Sequence, residues 1–324
     1  MRSILTILCL ALLLSCENKE GNQRYLSSSS GNINTISVVI DNILWEGKVG
    51  EKIRSTLAMP LEGLPQDEPI FTLRQIPTQV FDGFVTKNRI ILKVEKTDEN
   101  SISVLKEVYA KPQTVVLIKG ITDGDIIDQL ENNVAKIIDA FNKEEVKEKL
   151  RRINKSLLQD EAMESALGFS IDIPSAYRIA KSEDNFYWVR KSLSNTETMD
   201  LMFYSIPMET IKKGDSTIID ITKVRDSITK QYIPGPEDGK YMTTEDAYVP
   251  SLFQTIVDNK PAYETRGIWE VNGMYMAGPF VNYAIEDKVN NRYLVAEGYV
   301  YAPRLDKRKY VFELEAIIKS IRLN

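Results

Sequence analysis

Carboxylates are the side chains in this sequence whose number and placement could support chemistry. The chain has no histidine, which removes Ser-His-Asp and Cys-His nucleophile chemistry and most zinc and copper sites. No Asp-x-Asp-x-Asp-Gly calcium loop is present. Glu264, Glu270 and Glu297 fall on neighbouring predicted strands and could supply the two carboxylates, about 5 to 9 Å apart, that a glycosidase needs. Nothing distinguishes them from the other acids, so we predict no catalytic residue, no metal site and no cofactor, and favour a protein that is not an enzyme.

Aromatic side chains are the second possible source of a binding site. Trp45, Trp188 and Trp269 could stack on sugar rings, as in a glycan-binding protein. The alternative is a structural role, because Trp269 shares a predicted strand face with Val271 and Met276, which is the pattern of a core face. We favour the core. Exposure of all three indole rings on one surface would favour the glycan hypothesis instead.

The first sixteen residues predict a lipid anchor at Cys16. Arg2 supplies a positive charge, and positions 4–14 are apolar except for Thr6. This run is too short for a membrane span, which needs about 20 residues, but it suits the core of a signal peptide. It ends in Leu13-Leu14-Ser15-Cys16, which is similar to a bacterial lipobox and implies cleavage after residue 15 and acylation of Cys16. An ordinary secretory signal cleaved nearby is the alternative.

The cysteine count agrees with this interpretation. The chain has two cysteines; Cys9 lies in the predicted signal peptide and Cys16 is the predicted lipidation site, so we expect the mature body to hold no disulfide. Positions 16–35 are rich in Ser, Asn and Gly and predict a flexible tether. We expect attachment to the outer membrane of a bacterial envelope, on its periplasmic face or at the cell surface.

In positions 36–142, apolar patterns predict an N-terminal α+β domain. Strands are expected at 37–40, 90–95, 101–110 and 114–119, with a helix at 47–58. Thr122 is positioned to cap a second helix that extends to Phe141. The mixed charges of positions 143–168 predict a connecting helix with a solvated face, although Lys147, Lys149, Arg151 and Arg152 could instead form a basic patch.

Positions 169–324 predict a C-terminal antiparallel α+β domain. Strands are expected at 169–173, 177–181, 186–191, 199–206 and 292–302, and a crossing helix at 216–232. Asn272-Gly273 between two strand-like runs predicts a two-residue hairpin that pairs Trp269 with Met276. Asp306 is positioned to cap a closing C-terminal helix. The exposed loop from Pro234 to Gly239 is a possible contact site, although a plain connector is favoured. The expected fold class is therefore α+β, with antiparallel sheets covered by helices.

The overall composition is that of a soluble globular protein. The hydrophobic and charged fractions are 43% and 27%, and the formal net charge is −5. A mildly acidic body is a poor candidate for nucleic-acid binding, which depends on clustered Lys and Arg. We therefore predict no nucleic-acid partner.

Short motifs along the mature chain carry a family likeness. They are SVVI (37–40), LWEG (44–47), KPQ (111–113), IPSAYR (173–178), NFYW (185–188), YIPGP (232–236), YMTT (241–244), GPF (278–280) and GYVYAP (298–303). In this order they resemble a family of Bacteroidota lipoproteins known only as a domain of unknown function. The resemblance implies lineage and lipoprotein class, and it implies no activity. The second half is also similar in architecture to PsbP/Mog1-like proteins.

Two functional hypotheses remain from the sequence. The first is a non-enzymatic envelope protein that binds or scaffolds a protein partner, supported by the predicted anchor and tether. The second is a glycan-binding or glycan-cleaving envelope lipoprotein that uses carboxylates and aromatic side chains.

Overall fold

The computed structural model describes residues 25–183 and 185–324. The predicted signal peptide, the predicted lipidation site Cys16 and positions 17–24 of the predicted tether lie outside these ranges.

The first half is built on a five-stranded sheet with the order β3-β2-β4-β7-β5. Strands β2, β3, β4 and β7 are parallel, and the edge strand β5 is antiparallel. A further short parallel pair joins β1 to β6, so the prediction of a flexible tether at positions 16–35 is wrong for its last part, where Ser27–Ser28 pair with Ala110–Lys111 and Asn34 is buried. The elements are β1 Ser27–Ser28, β2 Thr35–Val39, α1 Asn42–Glu46, α2 Lys48–Leu57, β3 Thr72–Ile76, β4 Ile90–Lys96, β5 Ser101–Lys106, β6 Ala110–Lys111, β7 Thr114–Gly120 and α3 Asp123–Ile153.

Helices α2 and α3 cover one face of this sheet. Alternate strand residues such as Val38 and Leu92 meet Ile53 of α2 and Ile137 of α3 in an apolar core. The predicted cap of α3 is confirmed: the Thr122 hydroxyl accepts the N–H of Asp125, and the Asp125 carboxylate accepts the N–H of Thr122. The helix then continues through the predicted boundary between positions 142 and 143 without a break. The division into domains stays a prediction.

The predicted solvated face of positions 143–168 is present on α3, where Lys143, Lys147 and Arg151 are exposed, but the opposite side of the helix is buried. Glu144, Glu145 and Glu148 are buried. The cause is Arg89, a buried cation just before β4, whose Nε lies 2.7 Å from Oε1 of Glu145. A buried charge needs a paired counter-charge, so the acidic side of the helix turns inwards.

The second half is built on an eight-stranded antiparallel sheet with the order β12-β14-β15-β16-β11-β10-β9, in which β13 also pairs with β14. The predicted α+β class, meander, crossing helix and closing helix are confirmed. The elements are α4 Glu161–Leu167, β8 Phe169–Ser170, β9 Arg178–Glu183, β10 Phe186–Ser192, β11 Thr198–Pro207, α5 Thr217–Tyr232, β12 Met242–Thr244, β13 Ser251–Val257, β14 Lys260–Val271, β15 Ala277–Asp287, β16 Arg292–Tyr301, α6 Arg308–Ile318 and β17 Arg322–Leu323.

Each face of this sheet supports its own core. Val281 and Ala296 belong to the core that includes Leu314 and Ile317 of α6. On the other face, Trp269 and Tyr299 belong to the core that includes Ile221 of α5. Helix α5 is therefore the crossing helix of one face, and α6 closes the other.

The predicted two-residue hairpin at Asn272-Gly273 is wrong. The observed register pairs Trp269 with Gly278, so Met276 belongs to the connection. Asn272 is held by Tyr241: their backbones are hydrogen-bonded and the Asn272 side chain accepts the Tyr241 N–H. Gly273 has a φ of 68°, but Asn272 does not have the positive φ that a type I′ turn needs at both positions.

The predicted cap of the last helix is also wrong. Helix α6 begins at Arg308, and the carboxylate of Glu68 accepts the N–H groups of Lys307 and Arg308 at 2.6 and 2.9 Å. The cap thus comes from the first half of the chain rather than from Asp306. A second contact between the halves joins Lys149 of α3 to Glu313 of α6 at 3.1 Å.

Candidate functional site

The three candidate carboxylates from the sequence do not form a glycosidase pair. Glu264 and Glu270 lie on one face of β14, but six residues of strand separate them by about 20 Å. Glu297 lies on the opposite face of the sheet, where both of its oxygens accept the Nε of Arg225 at 3.0 Å. No two of the three are arranged for acid–base attack on a glycosidic bond.

The tryptophans do not form an exposed aromatic surface. Trp269 is 1% exposed and Trp188 is 9% exposed, and both belong to the core beneath α5. Trp45 packs against the core of the first half, with the guanidinium of Arg54 over its ring. The prediction that Trp269 is a core residue is confirmed.

A large groove lies between the two halves of the chain and has a volume of about 1380 Å³. One wall is the segment 59–62 that follows α2. The second wall is the outward stripe of α3 between Ala135 and Arg151, and the third is the strand β13. Exposed or half-buried apolar side chains from all three walls line it, namely Met59, Ile70, Ile138, Val146, Leu150 and Phe253.

Strand β13 presents its edge to this groove. Four consecutive residues, Phe253 to Ile256, line it, although successive side chains of a strand point to opposite faces. Within positions 25–183 and 185–324, β14 is the one strand that pairs with β13. The side of β13 away from β14 therefore borders the groove.

The register of β13 fixes which backbone groups point into the groove. Val257 pairs with Lys260 across Asp258 and Asn259, whose φ values of 49° and 57° fit a type I′ turn. Hydrogen-bonded and non-hydrogen-bonded pairs alternate from such a turn. The N–H and C=O groups of Leu252, Gln254 and Ile256 consequently point away from β14.

A network of buried and half-buried charges forms the floor of the groove. Arg266 donates from Nε to Glu264 at 2.6 Å and from Nη2 to Glu315 at 2.9 Å, and Lys319 also donates to Glu315. Although burial alone would raise the pKa of Glu315, the charges of Lys319 and Arg266 lower it to about 2. Nη1 of Arg266 is buried and has no acceptor among the described residues.

Cations follow one rim of the groove along α3. Lys143, Lys147 and Arg151 recur once per helical turn, and all three are exposed. Lys143 pairs with Asp139 and Arg151 with Glu148, whereas Lys147 has no carboxylate within ion-pair distance in the described part of the chain. Of the basic patch considered from the sequence, only Lys147 and Arg151 line the groove.

The remaining sequence candidates lie elsewhere. The loop from Pro234 to Gly239 is exposed, as predicted, but does not line the groove. Among the described residues, no group of three or more acidic or cysteine side chains is placed to hold a metal ion. No helix in that part of the chain is both long and apolar enough to cross a membrane.

Sequence reasoning missed β13 and with it the groove. The local signal was present, because positions 251–257 are rich in β-branched and aromatic residues and Asp258-Asn259 follows them as a turn pair. The wall formed by α3 had no such signal, because it depends on how two distant segments meet.

The family follows from a match over the second half. A family model described as a domain of unknown function, DUF4837, matches residues 156–320, just over half of the chain. The chain belongs to this family. A second model, also described as a domain of unknown function, DUF8532, matches residues 29–154. The predicted resemblance to proteins with a domain of unknown function is thereby confirmed.

Solved structures share parts of the chain at low identity. The Ran-binding protein Mog1p of Saccharomyces cerevisiae is 9% identical, covers 48% of this chain and 90% of its own, and gives a TM-score of 0.33. LpqN of Mycobacterium tuberculosis, described as involved in cell envelope biogenesis, is 10% identical over 48% of this chain and 83% of its own, with a TM-score of 0.29. A Bacteroides thetaiotaomicron structure is 8% identical over 48% of this chain and 45% of its own, with a TM-score of 0.27. No curated protein sequence matches the chain.

Proposed function

We propose that this protein is a lipoprotein of the Bacteroidota cell envelope that is anchored through Cys16 and binds a protein partner in the groove without catalysing a reaction. The anchor is supported by the lipobox-like sequence that ends at Cys16. Two or three acyl chains would hold the protein at the outer membrane, because each buried methylene contributes about 0.8 kcal/mol. The body would stand clear of the headgroups on the part of the predicted tether that precedes β1, because Ser27–Ser28 already pair with Ala110–Lys111.

The groove is the observation that carries the binding function. Its apolar walls come from both halves of the chain, and an exposed concave apolar surface of this kind is characteristic of an interaction site. Phe253 is 41% exposed and Ile256 is 70% exposed on the strand that borders it. Burial of these side chains against a partner would supply the main driving force for binding.

The binding function is tested by photo-cross-linking in living cells. A benzoylphenylalanine in place of Phe253 places the reactive group in the groove, and the same substitution at Phe84, which is exposed and does not line the groove, is the matched control. We expect the Phe253 variant to cross-link repeatedly to one segment of one envelope protein, identified by mass spectrometry. The purified partner should then bind wild type but not Val146→Glu. Cross-linking that is equal at both positions would exclude the groove as the binding site.

The anchor is tested separately. Cells labelled with a clickable palmitate analogue should incorporate it into wild type and not into Cys16→Ala, and only wild type should stay in the membrane fraction. Label that persists in Cys16→Ala would contradict lipidation at this cysteine.

A further inference from the structure

We infer that the groove takes an extended protein segment, with apolar and acidic side chains, which adds to the eight-stranded sheet as a new strand beside β13. This inference rests on the proposed function and specifies how the partner is held. Three observations carry it: the edge of β13 that no described strand pairs, the absence of edge protection on this strand, and the cations on the facing rim.

The unpaired edge provides the hydrogen bonds. Leu252, Gln254 and Ile256 point their N–H and C=O groups away from β14, and Gln254 and Ile256 also line the groove. An extended segment laid along this edge can pair with all three residues, and the main-chain bonds of such strand addition contribute affinity without requiring a particular sequence. A helix or a folded surface in the same place would leave these groups unpaired.

The sequence of β13 lacks the features that usually protect an edge strand. Proteins block exposed edges with lysine, proline or inward-pointing charges. The opposite edge of the same sheet follows this rule, because β9 carries Arg178, Lys181 and Glu183. Positions 251–257 contain no charged residue, and they expose Phe253 and Ile256. This difference between β9 and β13 is the one expected if a partner strand binds at β13 and not at β9.

The cations along α3 determine which charges on the bound segment are favourable. Lys143, Lys147 and Arg151 lie along α3 opposite the open edge, and Lys147 lacks a carboxylate partner among the described residues. Between them, Val146 and Leu150 offer apolar contacts. Side chains of an added strand that face α3 are therefore stabilised when they are acidic and disfavoured when they are basic, whereas the exposed Glu62 of the groove belongs to the segment 59–62.

The experiment measures binding of two fluorescein-labelled peptides to the purified protein by fluorescence anisotropy at low salt. One peptide alternates Val and Glu over the length of β13, and the other alternates Val and Lys. We expect the Val/Glu peptide to bind about tenfold more tightly or better, which corresponds to about 1.4 kcal/mol. Lys147→Glu should remove most of this preference, whereas Lys136→Glu, on α3 but outside the groove, should not.

Strand addition itself is tested by a matched pair of variants at Gln254. Proline removes one outward N–H and leaves the pairing with β14 intact, because Gln254 and Tyr263 form a non-hydrogen-bonded pair. We expect Gln254→Pro to weaken peptide binding about tenfold or more, and Gln254→Val to leave it unchanged. A Val/Glu peptide N-methylated at alternate residues should bind wild type correspondingly weakly, which gives the same test without altering the protein.

The outcomes separate this inference from the proposed function. Strand addition is wrong if neither Gln254→Pro nor N-methylation of the peptide weakens binding. It is also wrong if the Val/Glu peptide does not bind at all. Specific cross-linking at Phe253 would then still support a groove that binds its partner in another way. If the peptide binds as expected but Phe253 cross-links no protein in cells, the edge is competent for strand addition and the proposed function fails.

Discussion

Two arginines are buried on opposite faces of the eight-stranded sheet, and their surroundings differ. Arg225 of α5 donates from Nε to both oxygens of Glu297 and from Nη1 to the Thr244 hydroxyl, and Nη2 lies 2.8 Å from Oε1 of Glu297. Its guanidinium also lies 4.0 Å from the centroid of the Phe280 ring. Every nitrogen of Arg225 therefore has a partner.

Arg266 on the other face is paired less completely. Glu264 and Glu315 bind two of its nitrogens, and Nη1 has no acceptor in the described ranges. A fully paired buried network stabilises one conformation, whereas an incomplete one leaves an uncompensated donor. The fully paired guanidinium of Arg225 belongs to helix α5, which covers its face of the sheet, and the incompletely paired guanidinium of Arg266 lies in the floor of the groove. The pairing of Arg225 is that of a structural ion pair, whereas Arg266 keeps one donor without an acceptor among the described residues.

The largest loss of stability is expected when the ion pair between Arg225 and Glu297 is broken. Glu297→Gln removes the charge that compensates Arg225, and breaking a buried ion pair in this way costs about 3 to 5 kcal/mol of unfolding free energy. Urea denaturation monitored by circular dichroism measures it. Because the penalty comes from the unpaired charge, the double variant Arg225→Met, Glu297→Gln should recover much of the loss. If Glu297→Gln lowers the free energy of unfolding by less than about 1 kcal/mol, the ion pair of Arg225 does not have the structural role that distinguishes it from Arg266.

A smaller change in stability, which depends on pH, is expected from Glu315 in the floor of the groove. Lys319 and Arg266 lower the pKa of Glu315 from 4.5 to about 2, against the effect of burial. Its carboxylate thus contributes on the order of 3 kcal/mol, fully present above pH 4.5 and lost as the pH falls towards 2. Glu315→Gln should be destabilised at pH 7, and the difference from wild type should shrink steadily below pH 4.5. A difference that is independent of pH would show that packing, rather than charge, is responsible.

The elements that could be predicted from sequence are those specified by their own residues. The apolar period of α5, the capping box at Thr122 and the αL glycine that ends α4, Gly168, are local features, and the structure contains each of them. The α+β class and the meander follow from such elements in order. Cys16 lies outside the described residues, and its lipidation stays a prediction.

The features that could not be predicted depend on distant residues. Asn272 takes a conformation that suits Tyr241, and the cap of α6 comes from Glu68, about 240 positions earlier. The groove needs β13 from one half and α3 from the other. A sequence pattern indicates the secondary structure that a segment prefers, but it does not indicate which distant segment packs against it. The groove could therefore be identified only from the fold.

Glu270 lies on the same face of β14 as Arg266 but has no cation within ion-pair distance among the described residues. Burial, a hydrogen bond with Glu245 and the nearby negative charges of Glu245 and Asp246 raise the pKa of Glu270 from 4.5 to about 7. Between these values the folded protein binds more protons than the unfolded chain, so stability falls as the pH rises from 4.5 to 7 and then levels off. Glu270→Gln, which cannot ionise, should have a Tm a few degrees above wild type at pH 8, since solvent screening of this half-buried group reduces the effect, and the two should converge near pH 4.5. Calorimetry across this range measures the effect, with Glu237→Gln on the exposed loop as the control that should follow wild type at every pH. If the Tm of Glu270→Gln is higher than that of wild type by the same amount at pH 4.5 and at pH 8, Glu270 is no more protonated in the folded protein than in the unfolded chain. A carboxyl group on this strand would then stay charged without a neighbouring cation.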